Sequence, residues 1–154
     1  MDIPQFKNKF ENPPKGIDLL PHREPFLFCD RVFAADETGG WGEYTFTKEK
    51  NEFFKGHFPD FPIVPGVVLV ETMAQCAGAS LVAIGFLNEQ SSFILATIEY
   101  ARFRKPVLPG MTLQTICHND KVGRMMGQFS LKGYVNGELH VEATVKCMLG
   151  QKKQ

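Results

Sequence analysis

The clearest pattern in the chain is an alternation of apolar and polar positions near its C-terminal end. Phe129, Leu131, Gly133 and Val135 fall on one side, and Gln128, Ser130, Lys132 and Tyr134 on the other. The alternation resumes at Leu139 and runs through Val141, Ala143, Val145, Cys147 and Leu149. A period of two is the mark of a strand with one buried face. Asn136-Gly137 between the two runs predicts a type I′ hairpin, because both residues tolerate positive φ. A second hairpin is predicted from Phe26 to Ala35, through the turn cluster Asp36 to Gly40, into the alternating run Trp41 to Thr47. Thr112 to Lys121 reads as a further strand that turns at Gly123.

Ser92 to Phe103 breaks the alternation, since Phe93, Ile94, Leu95, Ala96, Thr97 and Ile98 put apolar groups on both faces. Such a strand requires two covers, which a helix and a partner subunit would supply. The one long helical candidate is Gly66 to Leu87, opened by Pro65 where its missing N–H goes unused. It is apolar nearly all round and long enough for a membrane span. Glu71, Thr72, Gln75 and Ser80 instead favour a core helix of a water-soluble domain, with no membrane span. A short helical turn is expected at Gly16 to Leu20, closed by Pro21. The organisation that follows is an N-terminal arm over 1–15 and a single domain over 16–154. Its fold class is α+β: a strongly curved antiparallel sheet of five or six strands wrapped around one central helix, with Gly127 and Gly133 supplying curvature.

Composition narrows the function classes. The 154 residues carry 17 Lys+Arg and 17 Asp+Glu, so the formal net charge is zero and bulk nucleic-acid binding is not expected. Cys29, Cys76, Cys117 and Cys147 form no CxxC or Cys/His metal spacing, which reads as free thiols in a reducing compartment. The first residues contain no apolar signal region, so cytoplasmic localisation is expected. No metal ligand set, phosphate loop or activated nucleophile assembles by spacing, and no cofactor is expected.

The chemistry concentrates just before and within the long helix. From Lys55 to Gly66, prolines recur at 59, 62 and 65, stiffening the segment that carries His57. Glu71 is a lone carboxylate in a helix otherwise fit for the core, where burial favours the protonated acid. Helical spacing sets Glu71, Gln75 and Gly78 along one stripe as a narrow polar track. A rigidly held His beside a buried Glu forms a candidate base and acid, against the plainer reading of both as structural. His118 and His140 read as surface residues, and Met125 and Met126 as core.

LPHREPFLFCDRV (20–32), GHFPDFPIVPGVVLVETMAQCAG (56–78) and ARFRKPVLPG (101–110), with weaker similarity in GYVNGELHVEAT (133–144), together resemble the β-hydroxyacyl-[acyl-carrier-protein] dehydratases, which have the hot-dog fold. The resemblance implies removal of water from an acyl-carrier-bound (3R)-hydroxyacyl thioester, giving the trans-enoyl thioester in fatty-acid or related acyl-chain biosynthesis. It places the catalytic His on His57 and the catalytic carboxylate on Glu71. Gly66, at the first helical turn, would present a backbone N–H to the thioester oxygen. The family also implies that the Ile63 carbonyl orients the His57 ring. Gln75 matches a family position and reads as structural; His22, Asp30 and Arg31 match as well and read as fastening the N-terminal segment to the sheet. Glu rather than Asp at 71 resembles the branch that dehydrates without isomerising. Asp60, Phe61, Val64 and Met111-Thr112 depart from the common pattern.

The implied partner is an acyl carrier protein, with Arg102, Arg104 and Lys105 as a basic docking patch. The implied assembly is a homodimer with shared sites, in a family that also forms trimers of dimers. The competing readings are a hot-dog acyl-thioester hydrolase and a non-catalytic acyl-chain or carrier-binding protein.

Overall fold

The computed structural model describes residues 1–150. Its elements are β1 (Asn8–Lys9), α1 (Gly16–Leu19), β2 (Arg31–Asp36), β3 (Gly39–Thr45), a single 3₁₀ turn at Glu52–Lys55, α2 (Gly66–Ala83), β4 (Ser92–Phe103), β5 (Thr112–Val122), β6 (Met126–Val135) and β7 (Glu138–Gly150). The strands form one sheet in the order β1-β2-β3-β5-β6-β7-β4, every neighbouring pair antiparallel. The sheet curls around α2, whose Leu69, Val70, Met73, Ala74, Cys76, Ala77, Ala79 and Leu81 are all buried. A helix this apolar passes for a membrane span by length and composition, yet 67% of it lies buried inside the domain. It is the core helix.

The C-terminal hairpin matches its sequence signal. Asn136 and Gly137 take φ values of 49° and 80°, the left-handed conformations that a type I′ turn demands. Among the described residues the sheet has seven strands rather than five or six, because the N-terminal arm contributes one. Asn8 and Lys9 pair with Ala35 and Ala34, and Phe6 is buried. The first long strand begins at Arg31 rather than Phe26. The backbone before it is committed elsewhere: the Phe26 N–H donates to the Arg23 carbonyl and the Phe28 N–H to the Gln75 side chain. Helix α2 stops at Ala83 rather than Leu87, since Gly85 enters the left-handed region with φ 80° and Phe86 N–H turns back to the Leu81 carbonyl.

Two side-chain expectations are corrected. His140 is buried, not superficial, because it is the extra residue of a bulge where β6 and β7 slip register between Gly133 and Tyr134. Met125 and Met126 are exposed rather than core, since they lie at the tip and the start of β6, beyond the cover of α2.

Strand β4 is an edge strand with two bulges, at Leu95/Thr97 and Ile98/Tyr100. Its register with β7 identifies the row facing α2. Phe93, Leu95, Ile98, Ala101 and Phe103 lie opposite the buried Leu149, Cys147, Val145, Ala143 and Val141. Only Phe93 of this row is fully buried, while Ile98 and Phe103 are exposed, so one chain leaves β4 half covered.

Candidate active site

His57 is fixed by the loop that precedes α2. Its N–H donates to the Phe53 carbonyl, its carbonyl accepts from Ile63 N–H at 2.9 Å, and Phe58 and Phe61 exchange backbone hydrogen bonds between them. The loop is tied to the segment after β4 by Val64 N–H donating to the Val107 carbonyl at 2.8 Å. The ring stacks on Phe58 at 4.2 Å between centroids. Its Nδ1 lies 3.0 Å from the Ile63 carbonyl oxygen. A carbonyl only accepts, so Nδ1 carries the hydrogen and, in the neutral ring, Nε2 is left with a bare lone pair.

His57 opens onto a groove of about 580 Å³. Ile63, Pro65, Gly66 and Val67 form one wall, and Phe103, Arg104 and Lys105 the other. The groove therefore sits at the N-terminus of α2, where the first-turn N–H groups lack intrahelical partners and the helix dipole favours negative charge. Phe103 closes on Gly66: a Cβ there would lie 2.9 Å from two of its ring carbons, so the ring would have to shift.

Glu71 lies deeper on α2 and is held from a different side. Gln75 Nε2 donates to Glu71 Oε1 at 2.9 Å and to the Phe26 carbonyl at 3.0 Å, while Gln75 Oε1 accepts Phe28 N–H at 2.7 Å. Gln75 is itself buried, so this amide staples the loop of residues 22–28 to the helix. Glu71 is thus neither lone nor fully buried; its side chain is 20% exposed. The polar track ends at Gln75. Gly78 lies instead under the ring of Phe93.

The groove at His57 is not lined by Glu71, which hydrogen-bonds Gln75 and faces His22. His22 is a contact that the sequence reading passed over: its Nε2 lies 3.9 Å from Glu71 Oε1 and its Nδ1 is buried without a partner. Burial lowers the His22 pKa below its ordinary value, against the opposing pull of Glu71. Asp30 and Arg31 bind the sheet instead, Asp30 through Thr45 N–H at 2.8 Å and Arg31 through Glu43 at 3.6 Å.

The basic patch is largely neutralised. Arg104 pairs with Glu142 at 3.2 Å and Lys105 with Glu138, both carboxylates on β7. Among the described residues, Arg102 alone of the three has no carboxylate within ion-pair distance. The four cysteines are free and buried. Burial, aided by Glu71, pushes the Cys147 thiol up to about 12, so it is no nucleophile at neutral pH.

Comparison with known proteins matches the chain to one family. The model of the FabA-like domain covers residues 20–144. The 3-hydroxyacyl-[acyl-carrier-protein] dehydratase FabZ of Haemophilus ducreyi is 41% identical over 133 residues, 85% of this chain and 86% of that protein. Its counterpart in Polynucleobacter asymbioticus is 38% identical over 143 residues, 90% of this chain and 92% of that protein. Among solved structures, the dehydratase heterocomplex ApeI:P from Xenorhabdus doucetiae superposes with a TM-score of 0.73 at 16% identity, covering 92% of this chain and 93% of that one. The PaaI protein of E. coli gives 0.57 at 14% identity over 76% and 80% of the two chains. These structural likenesses show the hot-dog fold, and the sequence match shows the rest: the chain belongs to the FabA-like family of dehydratases.

Proposed function

We propose that this protein is a hydro-lyase that removes water from (3R)-hydroxyacyl thioesters borne on an acyl carrier protein, in fatty-acid or related acyl-chain biosynthesis. The observation that carries the reading is the His57 ring, locked by the Ile63 carbonyl with Nε2 free, at a groove that ends on the N-terminus of α2.

In this reading Nε2 of neutral His57 takes the proton α to the thioester carbonyl. The electron pair released forms the new carbon–carbon double bond as the β carbon–oxygen bond breaks. Glu71, protonated, gives its proton to the departing hydroxyl, which leaves as water. Charge gathering on the thioester oxygen is met by the Gly66 N–H and the dipole of α2; one such donor contributes about 2.7–4 kcal/mol in the transition state. Gln75 and His22 hold and flank Glu71 without touching the reacting atoms.

The separation of His57 and Glu71 in one chain supports a homodimer in which each site takes His57 from one protomer and Glu71 from the other. The half-covered β4 edge supports its position at the subunit boundary. Four buried free thiols suit the cytoplasm. The carrier docks on this reading near Arg102, close to the mouth of the groove.

Incubating pure protein with (3R)-hydroxyacyl thioesters, while following enoyl formation and free thiol separately, tests the reading. Enoyl product without thiol release is expected; thiol as the main product assigns the protein to thioester hydrolysis instead.

A further inference from the structure

The segment before β2 is curled by Arg23 and fastened to α2 by Gln75. The Arg23 guanidinium donates to the Leu20 carbonyl at 2.9 Å and to the His22 carbonyl at 2.6 Å, and Phe26 N–H donates to the Arg23 carbonyl at 2.8 Å. Gln75 then takes Phe26 and Phe28, one helical turn from Glu71. The His22 ring is left with no fastening to do and is brought to the carboxyl group. Gln75 Nε2 donates to Glu71 Oε1 at 2.9 Å, and His22 Nε2 faces the same oxygen at 3.9 Å, near but not bonded. The Nδ1 of His22 is buried with no hydrogen-bond partner among the described residues, whereas Nδ1 of His57 is held by the Ile63 carbonyl. Burial lowers the His22 pKa, with Glu71 opposing and Arg23 reinforcing, so the ring is neutral at pH 7 and has one N–H. On Nδ1 that hydrogen would be a buried donor without an acceptor; on Nε2 it points at Glu71, so Nε2 carries it. Two donors aimed at Oε1 leave the acid hydrogen of Glu71 to Oε2.

We propose that His22 is a positioning residue for the acid: with Gln75 it keeps the Glu71 proton on Oε2, and it closes onto Oε1 as that proton leaves. The inference rests on the dehydratase reading, in which Glu71 protonates the departing hydroxyl. No proton passes through His22. The Oε2–H bond breaks as the hydroxyl takes the hydrogen and departs as water, the electron pair of that bond stays on the carboxylate, and the His22 N–H shortens its approach to the new charge. A hydrogen bond completed only as charge appears favours the transition state over the bound substrate. The other groups around the carboxyl do not fill this role. Gln75 is bonded to Oε1 from the start, and Arg23 is engaged by two carbonyls. The Cys147 thiol, pushed up to about 12 by burial and then by Glu71, stays protonated and is a weak donor.

The test compares two substrates of one chain length: a (3R)-hydroxyacyl thioester, whose leaving group needs a proton, and a 3-chloroacyl thioester, whose chloride leaves as an anion and needs none. Both give enoyl product and both need His57. His22→Phe keeps a ring and removes the donor. It should lower kcat on the hydroxyacyl thioester by about tenfold or more with KM changed by less than about twofold, while chloride elimination falls far less. His22→Gln, whose amide N–H reaches about as far as Nε2, should recover most of the hydroxyacyl rate, and His22→Asn, one carbon shorter, should not. If His22→Phe does not fold, as read from its thermal midpoint, the Gln and Asn variants decide: a hydroxyacyl rate higher in Gln than in Asn, with equal chloride elimination, supports the proposal. Equal losses on both substrates, or no loss on the hydroxyacyl thioester, overturn it and leave His22 a part of the fold. Wild-type protein that forms no enoyl product from the hydroxyacyl thioester overturns the dehydratase reading and this proposal together.

Discussion

His57 and Glu71 stand fourteen residues apart in one segment, yet the molecule holds them by different means. His57 sits on a loop outside the helix, and the groups that touch it are local: the Ile63 carbonyl, the Phe53 carbonyl and the Phe58 ring. Glu71 sits inside the helix, and what fixes it is remote in sequence, since Gln75 carries the constraint to Phe26 and Phe28 and His22 faces the carboxylate. Each half is ordered on its own terms, and the groove that His57 opens onto is not lined by Glu71. In one chain, then, a locally fixed histidine and a remotely fixed carboxylate stand on either side of the helix start, the arrangement that the proposed shared site would use.

Removing either half has the largest expected effect. His57→Ala and Glu71→Gln should each lower kcat by about a hundredfold or more while leaving the thermal midpoint close to that of the wild type. A residual rate above about a tenth would leave less than about 1.4 kcal/mol of barrier resting on the group, too little for a base or an acid. Mixing the two inactive proteins then sharpens the point. If the halves come from different protomers, mixed dimers regain one intact site and activity returns. Confirmed subunit exchange without recovery means that each chain completes its own site.

Gln75 carries the Glu71 half, because it is buried and bonded to three groups at once. Gln75→Leu leaves the Phe28 N–H buried without a partner, a loss of about 1–3 kcal/mol, and frees Glu71. Stability measured by denaturant should fall, and kcat should fall less than in Glu71→Gln. Full stability in this variant would show that the loop of residues 22–28 needs no staple.

A smaller effect separates His22 from its surroundings. Its folded pKa lies below the ordinary value, so the unfolded chain binds the proton more readily. The folded state therefore loses stability as pH falls from the unfolded pKa, near 6.5, toward the lower folded value. Above 6.5 the contribution is constant. His22→Asn should flatten the decline in denaturation midpoint between pH 7 and pH 5 relative to the wild type. An unchanged slope would assign that decline to other groups.

What was legible in the sequence followed the range of the interaction. The 136–137 turn, the core helix and the stiff His57 loop depend on neighbours within a few residues, and their signals lie in the local pattern. The strand at Asn8–Lys9 did not announce itself, because two residues carry no period and only pairing with β2 makes them a strand. His140 looked like a surface position because alternation counts residues evenly, and a bulge breaks the count. His22 looked like a fastener because its neighbour Glu71 lies forty-nine positions away. The polar stripe on α2 was right from Glu71 to Gln75 and wrong at Gly78, where the absence of a side chain serves the Phe93 ring rather than a polar track.

The mouth of the groove allows the finest test, since it is where His57 meets the positive charges predicted to attract the carrier. Two of the three cations are already paired: Arg104 with Glu142 and Lys105 with Glu138. Paired, exposed charges project little field, so the steering left to this surface rests mainly on Arg102. Arg102→Glu should reduce kcat/KM for carrier-bound substrate by less than about fivefold, more at low salt than at high salt, while a short pantetheine thioester is turned over as before. Arg104→Glu differs in kind. It sets a second carboxylate beside Glu142 of β7, so a loss of stability should accompany any loss of rate, and both substrates should suffer. If Arg102→Glu instead slows both substrates equally, Arg102 supports the groove wall and the carrier docks elsewhere.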